Sequence, residues 1–423
     1  MTRFLRTQSP ETVWPPLVWD LPALTIVAFY YHPDLDVARG NWAAARAAAV
    51  AAGDRPNPNV GAEVGYNSTS RLVTPWIFTL PLDITVETAG KRGHRVAAAR
   101  NLAEVARLNV AAVAWQVRSR VRKAFLDLHA ASGTAALLEQ QVDIQQDNLA
   151  LIQRQLAAGA ISAFEMAQAR LALNSARLAL HDFHRRRAEA RIQLAGALGV
   201  TSQALDGVTL SFDEFERPPA DLLAPTMRRQ ALLNRADVLG ALAEYEASQA
   251  RLQLEVARQY PDLHLGPGYQ MDQAENKWTL GLSGLLPIFN RNRGAIGESE
   301  ARRTEAAARF TAIQSRAIEE TAIAVAGWEA ARAKRTTAEA LLDDLRKQAP
   351  VAAERWKAGE ISKLELGTLQ LEIASSELAR FGALIEVQEA LGRLEDAMQS
   401  PSGLPAWTTL TLPRVTAAED EKR

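Results

Sequence analysis

Residues 158–165 read Ala-Gly-Ala-Ile-Ser-Ala-Phe-Glu and residues 358–365 read Ala-Gly-Glu-Ile-Ser-Lys-Leu-Glu, so one motif occurs twice, 200 residues apart. Gly159 and Gly359 tolerate the positive φ with which many helices end. The serine of each copy is followed three residues later by a glutamate, which is the capping-box pattern of a helix start. Each copy is therefore predicted to form the tip of a helical hairpin.

The segments before both tips carry mostly apolar residues in alternating steps of four and three, the period of a coiled-coil seam. The first seam contains Leu138, Val142, Gln145, Leu149, Ile152 and Leu156, and the second contains Leu342, Leu345, Ala349, Ala352 and Trp356. Because the seams match at the same offset as the tips, we predict a single architecture built from an internal tandem duplication.

The predicted segments follow the same order in both halves. An extended arm at 1–20 precedes a first repeat at 21–199, which contains a helix, a β-hairpin at 59–88 closed by 90–93, a long helix at 94–157, a tip turn at 158–162 and a return helix at 163–198. A connector at 200–230 leads to a second repeat at 231–399, with a helix, a hairpin at 262–289, a long helix at 296–357, a tip turn at 358–362 and a return helix at 363–398, and then to a tail at 400–423. Ser132-Gly133-Thr134 is a predicted weak point in the first long helix, and Pro350 a predicted kink in the second.

Composition excludes several functional classes. The 423 residues carry a net charge of -1, which provides no basic field for a nucleic acid. The absence of cysteine removes disulfides, thiol catalysis, cysteine zinc sites and a lipidated cysteine. No apolar stretch is long enough for a transmembrane helix. The apolar run at 21–31 has the length of a signal segment but lacks a basic region before it, so a trimmed leader or another start codon is the favoured interpretation.

In both predicted hairpins the side-chain period changes to two. Small and polar residues alternate there with the apolar residues Trp76, Phe78, Leu80, Leu82, Trp278, Leu280 and Leu282. This pattern is typical of transmembrane β-strands, and four strands are too few to close a barrel, so several chains are predicted to share one. The alternative is a soluble antiparallel sheet that covers the helices. Two tyrosines and two tryptophans fit either an interfacial aromatic girdle or core anchors: Tyr66, Trp76, Tyr269 and Trp278.

The element order and both tip motifs resemble the TolC family of outer-membrane efflux channels, and within it the CzcC-like and CusC-like branch associated with heavy-metal export. Further residues that carry the resemblance are His32-Pro33-Asp34-Leu35, Pro56-Asn57-Pro58, Gly90-Lys91-Arg92 and Leu286-Pro287-Ile288-Phe289-Asn290-Arg291-Asn292. The resemblance covers about residues 21 to 400. It implies a mainly α fold with a small β part and a passive channel, not an enzyme.

The resemblance also implies an assembly. A homotrimer would share a β-barrel of about twelve strands in the outer membrane, in contact with its lipid. A long α-helical barrel would cross the periplasm and meet a periplasmic adaptor, or membrane fusion protein, and an inner-membrane pump of the RND type. No cofactor and no nucleic acid partner is expected.

Site residues follow from the same resemblance. Acidic residues after the second tip would form the pore constriction, a role that falls on Glu365 with Glu360 nearby, although the family often has aspartate at the Glu365 position. Glu365 could equally serve only its capping box. Gly159, Ser162, Gly359 and Ser362 are the candidates for adaptor docking, and all four also have an ordinary role in ending or starting a helix.

Other chemical signals are weak. His181 and His184 stand at i and i+3 with Asp182 between them and could share a metal ion, but a solvated pair is favoured because a metal site needs more ligands. Residues 185–187 are three arginines, interpreted as an exposed helix face. No grouping suggests catalysis. Two alternatives stay open: a soluble or peripheral coiled-coil adaptor, and the same channel exporting drugs or proteins.

Overall fold

The computed structural model describes residues 16–69, 74–218, 235–273 and 275–399, and it is mostly helical with one small antiparallel sheet. The helices are α1 (Leu21–Tyr31), α2 (Pro33–Ala51), α3 (Lys91–Ala157), α4 (Ala163–Leu198), α5 (Asp213–Glu216), α6 (Ala236–Ala257), α7 (Arg293–Lys357) and α8 (Lys363–Met398). The strands are β1 (Asn59–Val60), β2 (Glu63–Tyr66), β3 (Trp76–Val86), β4 (Leu263–Asp272) and β5 (Glu275–Gly284). The predicted tail and most of the predicted arm lie outside the described residues, as do residues 219–230 of the predicted connector.

Both long helices begin three residues earlier than predicted, at Lys91 and Arg293. The residues just before them, Gly90 and Asn292, have φ values of 71° and 59° and make the turn themselves. The sequence 90–93, which was predicted to close the first hairpin, is therefore divided: Gly90 turns the chain and the next three residues are already helical. Because Pro350 lies within α7 without ending it, a kink there stays a prediction.

The apolar run at 21–31 forms α1 and lies in the largest buried cluster of the described residues. The Asp20 carboxylate accepts a hydrogen bond from the Ala23 N–H at 2.9 Å and caps the helix. Leu21, Leu24 and Ala28 are buried in one cluster with residues of α3 and α4. This segment is thus part of the folded core of the described residues.

The described residues fall into two compact units, and each takes segments from both sequence halves. The first unit comprises Met1–Asp36, Ala111–Arg235 and Arg316–Arg423 and contains both hairpin tips. The second comprises Val37–Val110 and Ala236–Ser315 and contains the whole sheet. The compact units therefore do not coincide with the two repeats.

Within the first unit, α3 and α8 approach closely at glycines. The ring of Phe381 on α8 lies over Gly133 on α3, and the Asn148 amide on α3 lies over Gly367 on α8. The predicted weak point at 132–134 is continuous helix in the structure, with the glycine at a contact between helices. A small residue there permits the contact and does not break the helix.

The sheet joins the two hairpins through β3 and β4. All its pairings are antiparallel, in the order β1, β3, β4, β5, and β2 also pairs with β3. The first hairpin has its outer strand divided into β1 and β2, with the Gly61 N–H bonded to the Pro81 carbonyl at 2.9 Å between them. Both predicted hairpins are present in the structure.

Candidate functional sites

The two hairpin tips have the same local geometry. Gly159 and Gly359 have φ values of 70° and 78°, in the left-handed region. The residue after each glycine donates its N–H to the carbonyl five residues earlier in the chain. The Ala160 N–H donates to the Gln155 carbonyl at 2.8 Å, and the Glu360 N–H donates to the Arg355 carbonyl at 2.9 Å. This is the Schellman arrangement that ends a helix. The glycine prediction is therefore confirmed at both tips.

Both outgoing helices start with a reciprocal capping box. In the first tip the Glu165 N–H donates to the Ser162 Oγ at 3.3 Å, while the Ser162 N–H donates to the glutamate at 2.7 Å. In the second tip the corresponding distances are 3.1 Å and 2.6 Å, between Ser362 and Glu365. Two helix N–H groups that lack a partner in the helix are satisfied at each tip. The capping role of Glu365 is thus present in the structure.

The second tip carries charges that the first lacks. Hydrogen bonds from Ser362, with a smaller contribution from Arg355, hold the pKa of the exposed Glu365 below its usual range. Arg355 also donates to the Glu360 carboxylate at 3.2 Å. Because the first tip has Ala160 where the second has Glu360, the tips share a shape but differ in charge. A constriction role for Glu365 and Glu360 stays a prediction.

One face of the sheet is apolar, and the described residues leave it uncovered. The register places Phe78 opposite Met271 and Leu265 opposite Leu282, so their side chains share a face. On this face Leu280 is 78% exposed and Trp278 is 81% exposed. Six of the seven predicted lipid-facing residues are exposed and Leu82 is half-buried. The alternative of a sheet that covers the helices with this face is wrong for the described residues, and Trp278 is not a core anchor.

The opposite face is small and polar. It presents glycines and threonines near its middle and charged residues near both ends. The charged side chains at positions in register on this face are the acids Glu63, Asp83, Asp272 and Glu275 and the base Lys277. Within the five described strands, no residue on the apolar face carries a charge. Four acids and one base give this polar face a net charge of -3 with histidine neutral.

The polar face also holds a pair that sequence reasoning missed. The His264 Nδ1 lies 3.1 Å from a carboxylate oxygen of Asp83, and 3.4 Å from the Thr85 hydroxyl. Asp83 and His264 belong to different hairpins, so only the strand register brings them together. The alternating pattern placed both on the polar face, but the pairing of β3 with β4 could not be obtained from it.

The other predicted sites stay dispersed. His184 on α4 lies 3.5 Å from Glu139 on α3, and Arg185 pairs with Glu189 at 2.7 Å. In the described ranges no three histidine, aspartate or glutamate side chains are grouped as a metal site. His181 and His184 are both exposed, which agrees with the solvated interpretation of the pair.

No helix in the described part of the chain is both long enough and apolar enough to cross a membrane.

Comparison with known proteins adds the family. The model of the outer membrane efflux protein family matches residues 28–200 and again residues 227–399. This chain belongs to that family. The double match agrees with the tandem duplication, and this efflux protein is a member of a family of channels, not of enzymes.

Individual relatives show which members of the family this efflux protein is similar to. It is 30% identical to the cobalt-zinc-cadmium resistance protein CzcC of Cupriavidus metallidurans over an alignment of 220 residues. This alignment covers 52% of each chain. It is 29% identical over 211 residues to the pyoverdine export outer membrane protein OpmQ of Pseudomonas aeruginosa, covering 48% of this chain and 44% of the relative. The alignments thus span about half the length of both relatives. The solved structure of CusC superposes with a TM-score of 0.73 and 20% identity, over 92% of this chain and 95% of that one, which establishes the fold.

Proposed function

We propose that this efflux protein is the outer-membrane channel of a tripartite efflux system, a passive exit duct for metal cations. The observation that carries the proposal is the two-faced sheet, apolar and exposed on one side, small and polar on the other. A bilayer accepts such a sheet only if its backbone groups are paired in a closed barrel. Trp76, Phe78, Leu80, Leu82, Trp278, Leu280 and Leu282 would face lipid.

Closure of the sheet needs more than one chain. The smallest membrane barrels have about eight strands, and each chain here supplies a sheet about four strands wide. In the described structure β5 pairs with β4 on one side, and its other edge is available to a second copy. A homotrimer with about twelve strands would remove every free edge. The localisation that follows is the outer membrane, with the helices in the periplasm.

Charge on the polar face favours cations as cargo. A net charge of -3 per chain would line the pore of such a barrel, and acidic rings are the usual device of cation-selective pores. The name of the CzcC relative points to cobalt, zinc and cadmium. The OpmQ relative supports a second candidate, in which the same duct exports organic molecules, so cargo is the part of this proposal that most needs an experiment.

The tips are proposed as the contact with the rest of the export system. A periplasmic adaptor would dock on the paired turns at Gly159, Ser162, Gly359 and Ser362, and an inner-membrane pump would deliver the cargo. Both turns are exposed and have nearly identical backbone geometry, which suits an adaptor that binds alternate hairpins in the same way. The extra charges of the second tip would distinguish the pore constriction from the docking surface.

The test is the ion selectivity of the purified protein in planar bilayers under a KCl gradient. We expect the protein to form channels, and we expect the sign of their reversal potential to show that potassium passes more readily than chloride. A variant with Asp83→Asn, Asp272→Asn and Glu275→Gln should move the reversal potential towards zero, whereas Glu189→Gln on an exposed helix face should not. Absence of channels, with the protein recovered in the soluble fraction, would favour the adaptor alternative. Channels with anion preference would reject cations as cargo.

A further inference from the structure

The Asp83–His264 pair has the geometry of an oriented metal ligand. An ionised carboxylate only accepts hydrogen bonds, so the contact at 3.1 Å requires the proton of the ring on Nδ1. The Nε2 atom then carries the lone pair, and within the described residues it makes no hydrogen bond. In metal sites this second-sphere carboxylate fixes the tautomer and raises the basicity of the imidazole.

The position of the pair suits a mobile cation. The His264 and Asp83 side chains are 40% and 46% exposed, so Nε2 is accessible from the polar face. Ser283 lies opposite His264 on β5, and the next residues towards the middle of that face, Gly266 and Gly281, have no side chains to obstruct it. The acids of the same face raise the local concentration of cations.

We propose that His264, oriented by Asp83, is a transient binding site for divalent transition-metal cations on the polar face of the sheet. Imidazole nitrogen suits zinc, cobalt and nickel better than it suits magnesium or calcium, which prefer oxygen ligands. One nitrogen per chain binds weakly, and a conducting pore needs sites that release their ion readily. The inference rests on the proposed function, because only a closed barrel makes the polar face a route for cargo.

The experiment measures zinc protection of individual histidines in the full-length protein in detergent. Diethyl pyrocarbonate modifies unprotonated imidazoles, and peptide mass spectrometry reports the extent at each of the six histidines with and without zinc chloride. The protein should carry no polyhistidine tag. The internal reference is His94, which is half-buried and has no ion pair with a carboxylate in the described residues. Magnesium chloride controls for simple charge screening.

We expect zinc to protect His264 at lower concentrations than His94, and magnesium to protect neither. Asp83→Asn should raise the zinc concentration for half-protection of His264 by about 10–100-fold, the usual effect of losing such a carboxylate. Ser283→Ala, beside His264 in register, should leave it unchanged. If Asp83→Asn does not fold, the zinc protection of His264 relative to that of His94 in the natural protein still tests the site.

Equal protection of His264 and His94, or an unchanged half-protection in folded Asp83→Asn, would overturn the site. That failure is distinguishable from failure of the proposed function. Cation-selective channels without zinc protection of His264 would reject the site and keep the duct, whereas zinc protection in a protein that forms no channels would reject the duct.

Discussion

The ring of Phe381 lies against the backbone of Gly133, so that a methyl group at 133 would overlap the ring. Phe381 is only 8% exposed and cannot swing into solvent without leaving the contact between α3 and α8. We expect Gly133→Ala to lower the free energy of unfolding by about 1–3 kcal/mol, the usual cost of overpacking. This change in the free energy of unfolding is measured by denaturant unfolding in detergent, with the circular dichroism of the helices as the signal.

Gly382 supplies the matched control, since a methyl group there would meet nothing within 4 Å. Because alanine is the better helix former by about 1 kcal/mol, Gly382→Ala should leave the protein as stable or more stable. Phe381→Leu should recover part of the loss caused by Gly133→Ala. Equal stability of the two glycine variants would contradict steric overlap as the reason for Gly133.

Gly133 also illustrates what the sequence could and could not reveal. Local patterns sufficed for the capped tips and for the two faces of the hairpins, since both depend on residues close together in the chain. The partner of Gly133 lies in α8, far along the chain, and no local pattern identifies it. The same holds for His264 with Asp83, and for the burial of α1, whose apolar residues suit a signal segment as well as a core.

A buried ion pair between α3 and α8 leads to a second prediction. Arg118 donates to Glu395 at 3.0 Å, and both side chains are 3% exposed. Arg122 lies 3.5 Å from the same carboxylate. Glu395→Ala leaves two buried guanidinium groups without this counter-ion, and we expect a loss of about 3–5 kcal/mol in the free energy of unfolding.

The exposed pair of Lys334 and Glu386 joins α7 to α8 and serves as the comparison. Its side chains are 60% and 48% exposed, so Glu386→Ala should cost less than about 1 kcal/mol. Denaturation curves of both variants in the same detergent give the difference directly. Similar losses for Glu395→Ala and Glu386→Ala would show that burial adds nothing to the first pair.

His129 gives a prediction for pH. Its ring is buried among Phe212, Phe215 and Phe381, and burial lowers its pKa below the usual histidine value. The unfolded chain then binds a proton at this residue more readily than the folded chain. The contribution of His129 to the free energy of unfolding is therefore complete at neutral pH and is lost as the pH falls below about 6.5. His129→Phe keeps the aromatic packing and should reduce this loss.

Melting temperatures of the natural protein and of His129→Phe, measured from pH 7.5 to 5.5, test this pH dependence. His32 has a pKa lowered mainly by burial and contributes in the same direction, so only the difference between His129→Phe and the natural protein is assigned to His129. An identical slope in His129→Phe would remove His129 as a cause of acid instability.

The last prediction separates the two roles of Glu365. If its carboxylate narrows the pore, Glu365→Ala should raise single-channel conductance in planar bilayers. Losing a capping box could also loosen the tip, and the first tip contains the control: Glu165→Ala removes an equivalent cap, because both glutamates bond to their serines in the same way. Ser362→Ala, in turn, weakens the second cap and keeps the charge. A rise confined to Glu365→Ala identifies the constriction, whereas equal rises in all three variants would mean that the cap, and not the carboxylate, controls conductance.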